Sequence, residues 1–359
     1  MKAAVCRQFG APLQIEEINI APPGPGEIFV KLSACAICHS DITYIDGGWG
    51  GELPAVYGHE AAGIVETLGE GVETISVGDH VVVTLIRSCG HCHYCAQGKQ
   101  VACETSFPLD AKSPLSAQDG TALTHGLRTG AFAEYVVVHK SQAVTIDQDI
   151  PLDSASLLAC GTLTGFGAVA NTANISAGCS VVVIGVGGVG VNSLQGAAIC
   201  GASTIIAVDI SLDKLDAAKS FGATHAINAG DKEIAKQVWA LTGGRGADYV
   251  FVTVGAKSAI DSAYALMGRT SAVVLVGMPA TGVMSEIDPG TIAAESQRIL
   301  GSKMGSGRVQ VDIPYLASLY QQGRLKLDEL ITGRYQLDEI NEAIASTKSG
   351  EALRNVIVF

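Results

Sequence analysis

The sequence predicts an α/β protein in two parts, a mostly β domain and a doubly wound domain built on a parallel sheet. Three observations carry this reading. A chain of 359 residues is long enough for two domains of roughly 150 residues, each with its own core. Up to about residue 150, short β-rich runs are separated by turns rich in glycine and proline. From about residue 178, apolar strands alternate with helical segments.

In the first part the runs EIFVKL, AAGIVETL, HVVVTL and AEYVVV read as strands, and stretches such as APPGPGE and DGGWGGELP read as turns and functional loops. In the second part SVVVIG, STIIAVDI, HAIN, DYVFVTV and SAVVLVG are strands without polar alternation. Between them VGVNSLQGAAICG, SLDKLDAAKSFG and KEIAKQVWAL read as helices. Strands apolar on both faces and joined by helices require a parallel sheet covered on both sides. After about residue 303, DIPYLASLYQQG and LDEINEAIASTKSG continue as helices, and NVIVF closes as a strand. Periodicity alone leaves open which domain this last segment joins.

Composition narrows the function classes. The net charge of −12 and the absence of a lysine- or arginine-rich run argue against nucleic-acid and anionic-membrane partners. The longest apolar stretch, VVVIGVGGVGV, is too short to span a bilayer, and the first residues carry no leader pattern, so the expected location is the cytoplasm. Ten cysteines in a reducing compartment point to metal ligation or catalysis before crosslinking.

Gly185, Gly187 and Gly190 form GxGxxG between a strand and a helix. The pattern alone is weak, but Asp209 ends the following strand, 19 residues beyond Gly190. Glycines let the backbone approach a pyrophosphate, the helix N-terminus offers free N–H groups, and the acidic residue binds a ribose diol. Asp209 would repel a 2′-phosphate, which favours NAD over NADP.

Cys89, Cys92, Cys95 and Cys103 lie on one loop with spacing that closes a tetrahedral zinc shell. A closed shell leaves no position for substrate. His91 and His93 between them read as solvent-facing. An open site needs three ligands from elsewhere, and Cys38, His59 and Cys160 qualify by type. Taken singly, each also reads as a buried cysteine or a satisfied histidine, and composition alone favours that plainer reading.

Together these residues resemble the zinc-dependent alcohol dehydrogenases of the medium-chain dehydrogenase/reductase family. The most specific part is Gly58-His59-Glu60-x2-Gly63-x5-Gly69-x2-Val72, followed by the four-cysteine lobe and the glycine fingerprint. The resemblance spans essentially the whole chain. It implies a GroES-like catalytic domain, residues 1–161 and 303–359, with a Rossmann domain, 162–302, inserted between its two parts. It makes Cys38, His59 and Cys160 ligands of a catalytic zinc, and Cys89, Cys92, Cys95 and Cys103 ligands of a structural one. Asp41 becomes the carboxylate that orients the ligand histidine, Glu60 the acidic neighbour behind the metal, and Ser40 the hydroxyl that bonds the alcohol. His39, Gly185, Gly187, Gly188, Val189, Gly190, Asp209, Lys214, Val276 and Arg354 match cofactor-binding positions.

The implied activity is reversible oxidation of primary alcohols, aromatic or medium-chain, by hydride transfer from an alkoxide held at zinc to NAD. A homodimer or homotetramer is implied as well. Two departures matter. Thr43 stands where many members carry the histidine that ends the proton relay, so the relay ends on His39 or water. Phe107 stands where glutathione-dependent formaldehyde dehydrogenases carry arginine, which weakens the alternative of an S-(hydroxymethyl)thiol substrate. Trp49, Leu85 and Ile86 match substrate-channel positions, and Lys303 falls near them. An alternative of another class, a silent NAD-binding sensor, predicts a missing ligand or relay hydroxyl, and none is missing.

Overall fold

The computed structural model describes all 359 residues, Met1–Phe359, and they form two compact units. The first comprises Met1–Gly161 and Arg308–Phe359, the second Thr162–Gly307.

In the first unit, strands Lys2–Cys6, Gln14–Ile20, Leu115–Ala117, Ala122–His125 and Ala55–Val56 close into a small barrel. A second sheet runs in the order Ala143–Thr145, His80–Val83, Glu60–Leu68, Glu27–Ala36, Arg354–Val358, Ile331–Gln336. Tyr135–His139 pairs with Glu27–Ala36 as well. The inward residues Val5, Ile18, Ile28, Val30, Val65, Val81 and Phe132 make one core. The closing strand pairs antiparallel with Glu27–Ala36, Ile357 opposite Cys35, and this pairing returns the C-terminal segment to the first unit. The stretch from 104 to 130, in which the sequence reading placed no element, holds a short helix, Pro108–Ala111, and two barrel strands.

The second unit is a six-stranded parallel sheet in the order His225–Asn228, Thr204–Asp209, Ser180–Ile184, Ala247–Val252, Met267–Leu275, Arg298–Gly301. The strand order reverses beside Ser180–Ile184, where such sheets bind ligands at the carboxyl ends of their strands. Val182, Ile206, Val250 and Val273 form part of its core.

Residues 303–307 pack with the second unit, whereas the resemblance assigned them to the first. Gly305 lies so close to Leu163 that an added Cβ would stand 2.4 Å from its carbonyl oxygen. Thr172 Oγ1 bonds both Ser302 Oγ and Ser306 Oγ at 2.8 Å.

Candidate metal and dinucleotide sites

Cys38 is the N-cap of the helix His39–Ile45. Asp41, three residues on, turns back and accepts from the Cys38 backbone N–H at 3.1 Å with Oδ2. Its other oxygen, Oδ1, accepts from Gly58 N at 2.9 Å and from His59 Nδ1 at 2.9 Å. One fully buried carboxylate therefore fixes two segments distant in sequence. Because Nδ1 donates, His59 presents the lone pair of Nε2 inward, and that atom is buried without a hydrogen-bond partner.

Around this lone pair the ligand atoms of Cys38, His59, Glu60 and Cys160 all lie within 4.8 Å of one another, and all four residues are buried. Beside Cys160 and His59 the Cys38 thiol is held well below its ordinary value. Burial opposes charge on His59, but Asp41 outweighs it and pulls the imidazole toward its protonated form. A cation at Nε2 would replace that proton. Two thiols, one of them acidified, and an orphaned imidazole lone pair inside a dry pocket fit a zinc ion with three protein ligands.

Glu60 completes the cluster. Its Oε2 accepts from Gly161 N at 3.3 Å and pairs with Arg354 Nη2, while Oε1 has no partner. Burial pushes its carboxyl up against the pull of Arg354. Ser40 Oγ stands 3.7 Å from Cys38 Sγ, and His39 is exposed on the same turn. Thr43 Oγ1 donates to the His39 carbonyl at 2.8 Å, a bond within the helix.

The four lobe cysteines also converge, with all four sulfurs within 4.8 Å. Cys92 N donates to Cys89 Sγ at 3.2 Å and Cys89 N to Cys103 Sγ at 3.4 Å, contacts that stabilise thiolates. Hydrogen bonding, first with Thr105, lowers Cys89 to about 5. His91 and His93 are exposed, outside the sulfur cluster.

In the second unit Gly187 caps the helix Gly188–Ile199, directly after the strand Ser180–Ile184. A Cβ on Gly190 would lie 1.8 Å from Gly185 O, so only glycine fits. A Cβ on Gly187 would meet nothing within 4 Å, which leaves its surface open to a ligand. Asp209 ends the strand Thr204–Asp209. It accepts from Val186 N at 2.6 Å and from Ser211 N at 2.9 Å, so the carboxylate is oriented by the glycine turn itself. Lys214 lies in the first turn of the helix Leu212–Ser220, whose N-cap is Ser211. Val276 directly follows the strand Met267–Leu275, and Lys303 is exposed at the start of the turn after Arg298–Gly301.

The sequence reading singled out Trp49 but missed the aromatic cluster it joins. The Tyr44 ring lies 5.2 Å edge-on from Trp49 and 5.7 Å stacked on Tyr57. It also missed Arg87, a cation buried at the end of an apolar run. The signal for Arg87 was a lone charge after HVVVTLI; for the aromatics there was only Trp49.

Comparison with known proteins agrees with this geometry. Residues 24–148 match the alcohol dehydrogenase GroES-like domain, and residues 188–322 match the zinc-binding dehydrogenase family. The chain is 37% identical over 365 residues to an NDMA-dependent alcohol dehydrogenase of Amycolatopsis methanolica, covering 99% of this chain and 98% of that protein. Among solved structures it resembles an alcohol dehydrogenase zinc-binding domain protein from Burkholderia ambifaria, with TM-score 0.95, 35% identity, and coverage of 100% and 98% of the two chains. It also resembles benzyl alcohol dehydrogenase from Acinetobacter calcoaceticus, with TM-score 0.93, 32% identity, and coverage of 100% and 99%.

Proposed function

Because the chain belongs to the zinc-type alcohol dehydrogenases of the medium-chain dehydrogenase/reductase family, we propose that it oxidises aromatic primary alcohols to aldehydes, reversibly, with two zinc ions per chain and NAD. The observation that carries this reading is the buried Cys38, His59, Glu60 and Cys160 cluster around an unpartnered imidazole nitrogen.

In this reading Cys38, His59 and Cys160 hold one zinc, and Cys89, Cys92, Cys95 and Cys103 hold the other. The three-ligand zinc supplies the Lewis acidity that lowers the pKa of an alcohol hydroxyl, and NAD accepts the hydride. Asp41 keeps Nδ1 of His59 protonated, so that Nε2 alone is the ligand atom. Ser40 Oγ accepts the alcohol proton and passes it toward His39 and solvent. Thr43, engaged with the His39 carbonyl, takes no part in the relay. Glu60 and Arg354 balance charge behind the metal. Arg354 Nε is buried without a partner, a donor that an anionic oxygen of the dinucleotide would satisfy.

Gly185, Gly187, Gly188, Val189 and Gly190 would cradle the pyrophosphate of NAD, Asp209 and Lys214 would bind its adenosine ribose, and Val276 would contribute to the cofactor site. Asp209 favours NAD by repelling a 2′-phosphate. The likeness to a benzyl alcohol dehydrogenase supports an aromatic substrate, whereas the Tyr44 and Tyr57 rings pack with the core of the first unit. Phe107 packs 4.7 Å from the His139 ring and faces the Arg87 guanidinium, so it offers no site for a glutathione carboxylate. A cytoplasmic homodimer or homotetramer completes the proposal.

The test is a panel of benzyl, medium-chain and carboxylate-bearing alcohols with NAD and NADP, scored by kcat/KM beside metal analysis. Two zincs per chain and NADH formation fastest with benzyl-type alcohols is the expected result. One zinc and no turnover across the panel would sink the proposal.

A further inference from the structure

Arg87 is the one large charged side chain in the first unit that is both wholly enclosed and outside the metal cluster. It stands two residues before the lobe begins at Cys89. Nε donates to Gln142 Oε1 at 2.7 Å, Nη1 to Asp110 Oδ1 at 3.0 Å, and Nη2 to the carbonyl of Arg128 at 3.0 Å. Burying a cation costs several kcal/mol even when it is paired. What this cation holds is therefore informative.

It holds a strained turn. Leu127 and Arg128 have φ of 51° and 60°, a conformation that costs non-glycine residues about 1–2 kcal/mol each and persists only where the surroundings over-determine it. Here they do. The Arg128 carbonyl accepts a second bond from Gln142 Nε2 at 3.0 Å, Leu127 O accepts from Thr129 Oγ1 at 3.1 Å, and Thr129 O accepts from His125 Nε2 at 2.7 Å. Gly126 O accepts from both Thr129 N and Gly130 N.

The other side of this turn is the template for the segment leading to His59. A Cβ on Gly126 would stand 2.5 Å from both the Tyr57 ring and the Val56 carbonyl, so the two backbones are in direct contact. Just beyond the turn, Phe132 N donates to Tyr57 O at 2.8 Å and Ala131 N to Gly58 O at 2.9 Å. The next residue is His59, which shares Asp41 Oδ1 with Gly58 N. An unbroken series of hydrogen bonds and close packing runs from Arg87 through the turn at 126–130 to Tyr57, Gly58 and the imidazole.

We propose that Arg87 is a positioning residue for the catalytic metal: it locks the strained 126–130 turn, which sets the path of residues 56–58 and with it the aim of His59. The proposal rests on the reading of His59 as a ligand of the three-ligand zinc. A ligand must be held to within about 0.5 Å, and a turn free to relax from its strained conformation would not do so. Three acceptors in three directions also explain why the residue is arginine, whose planar fork lysine cannot reproduce.

The test uses the zinc-loaded full chain as wild type, Arg87→Lys, Arg87→Met and Thr129→Val. The rate at which dipicolinate removes each zinc is measured, together with the ligand-field spectrum after exchange with Co²⁺. In Arg87→Met the zinc held by Cys38, His59 and Cys160, told from the all-sulfur lobe site by its cobalt spectrum, should leave about tenfold faster than in wild type, the low end of the effect of losing a direct partner of a ligand, with shifted cobalt bands. The lobe zinc should leave at the wild-type rate, and faster loss confined to it would also overturn the proposal. Arg87→Lys should fall between wild type and Arg87→Met. Thr129→Val removes only the bond to Leu127 O and should move both readouts the same way by a smaller amount, which keeps the test available if Arg87→Met does not fold. Release within twofold of wild type and unchanged cobalt bands in the folded variants would overturn the proposal, even with a lowered thermal midpoint. A wild-type chain that holds only the lobe zinc would instead overturn the reading of His59.

Discussion

Asp41 carries more of the first site than its short side chain suggests. One carboxylate caps the helix that bears Cys38 and selects the tautomer of His59. Asp41→Asn keeps the volume and removes the charge, so the imidazole loses the partner that makes it a good ligand. Zinc affinity at this site should fall about 10–100-fold, measured by chelator competition with the lobe zinc as internal reference. Asp209 has a comparable double duty in the proposed reading, since it bonds the glycine turn and would also bind the ribose. Asp209→Ala should weaken NAD about tenfold, roughly 1.4 kcal/mol, and narrow the preference for NAD over NADP. An unchanged cofactor ratio in steady-state kinetics would count against the ribose role.

At the scale of elements, the lobe and the strands differ in how legible they were. The four cysteines and the GxGxxG turn are local patterns whose chemistry follows from spacing, and the structure brings each set together. Cys38, His59 and Cys160 have no local pattern: their convergence depends on pairing between the strands Glu27–Ala36 and Glu60–Leu68 and on Asp41, and the residues alone left a plainer reading open. Arg298–Gly301 escaped notice because it is four residues long with little β-branching. The strands within 104–130 were hidden for the same reason, and in the turn at 126–130 the strain falls on Leu127 and Arg128, between the two glycines that mark it. The lobe itself should act on stability. Cys103→Ala should lower zinc content from two ions to one per chain and cost about 4 kcal/mol or more, as loss of a structural metal does, measured by metal analysis and denaturant unfolding. Turnover per folded molecule should persist.

For the whole molecule, acid should be the sensitive direction. Burial, aided by Arg87, lowers His125 and His139 to about 4, and His125 Nδ1 has no partner to share a proton with. In the unfolded chain each ring binds its proton near pH 6.5. Between these values the unfolded state holds more protons, so folding stability falls as pH drops from about 6.5 toward 4 and levels off below. Asp110, which faces Arg87 and His125, and Lys140, beside His139, tune the window without reversing it. Urea midpoints across this range should show the loss, and a His125→Gln/His139→Gln chain should show a flatter profile. Because burial pushes Glu60 up to about 7 and opposes the loss, the contradicting result is a double variant whose pH profile matches wild type.

The chain-level architecture was legible because the change from short β runs to strand–helix alternation near residue 178 is a change of period. The return of the last strand to the first sheet was not legible from periodicity, since NVIVF suits either sheet; the family resemblance implied it, and Ile357 lies opposite Cys35.

The central claim is that the reactive metal lies in the buried cluster and not in the conspicuous lobe. Zinc content and NADH formation from benzyl alcohol, measured together on wild type and on folded Cys160→Ala, test it directly. The account predicts two zincs and turnover for wild type, and one zinc with turnover abolished for the variant. A Cys160→Ala chain that keeps both zincs and full activity would contradict it.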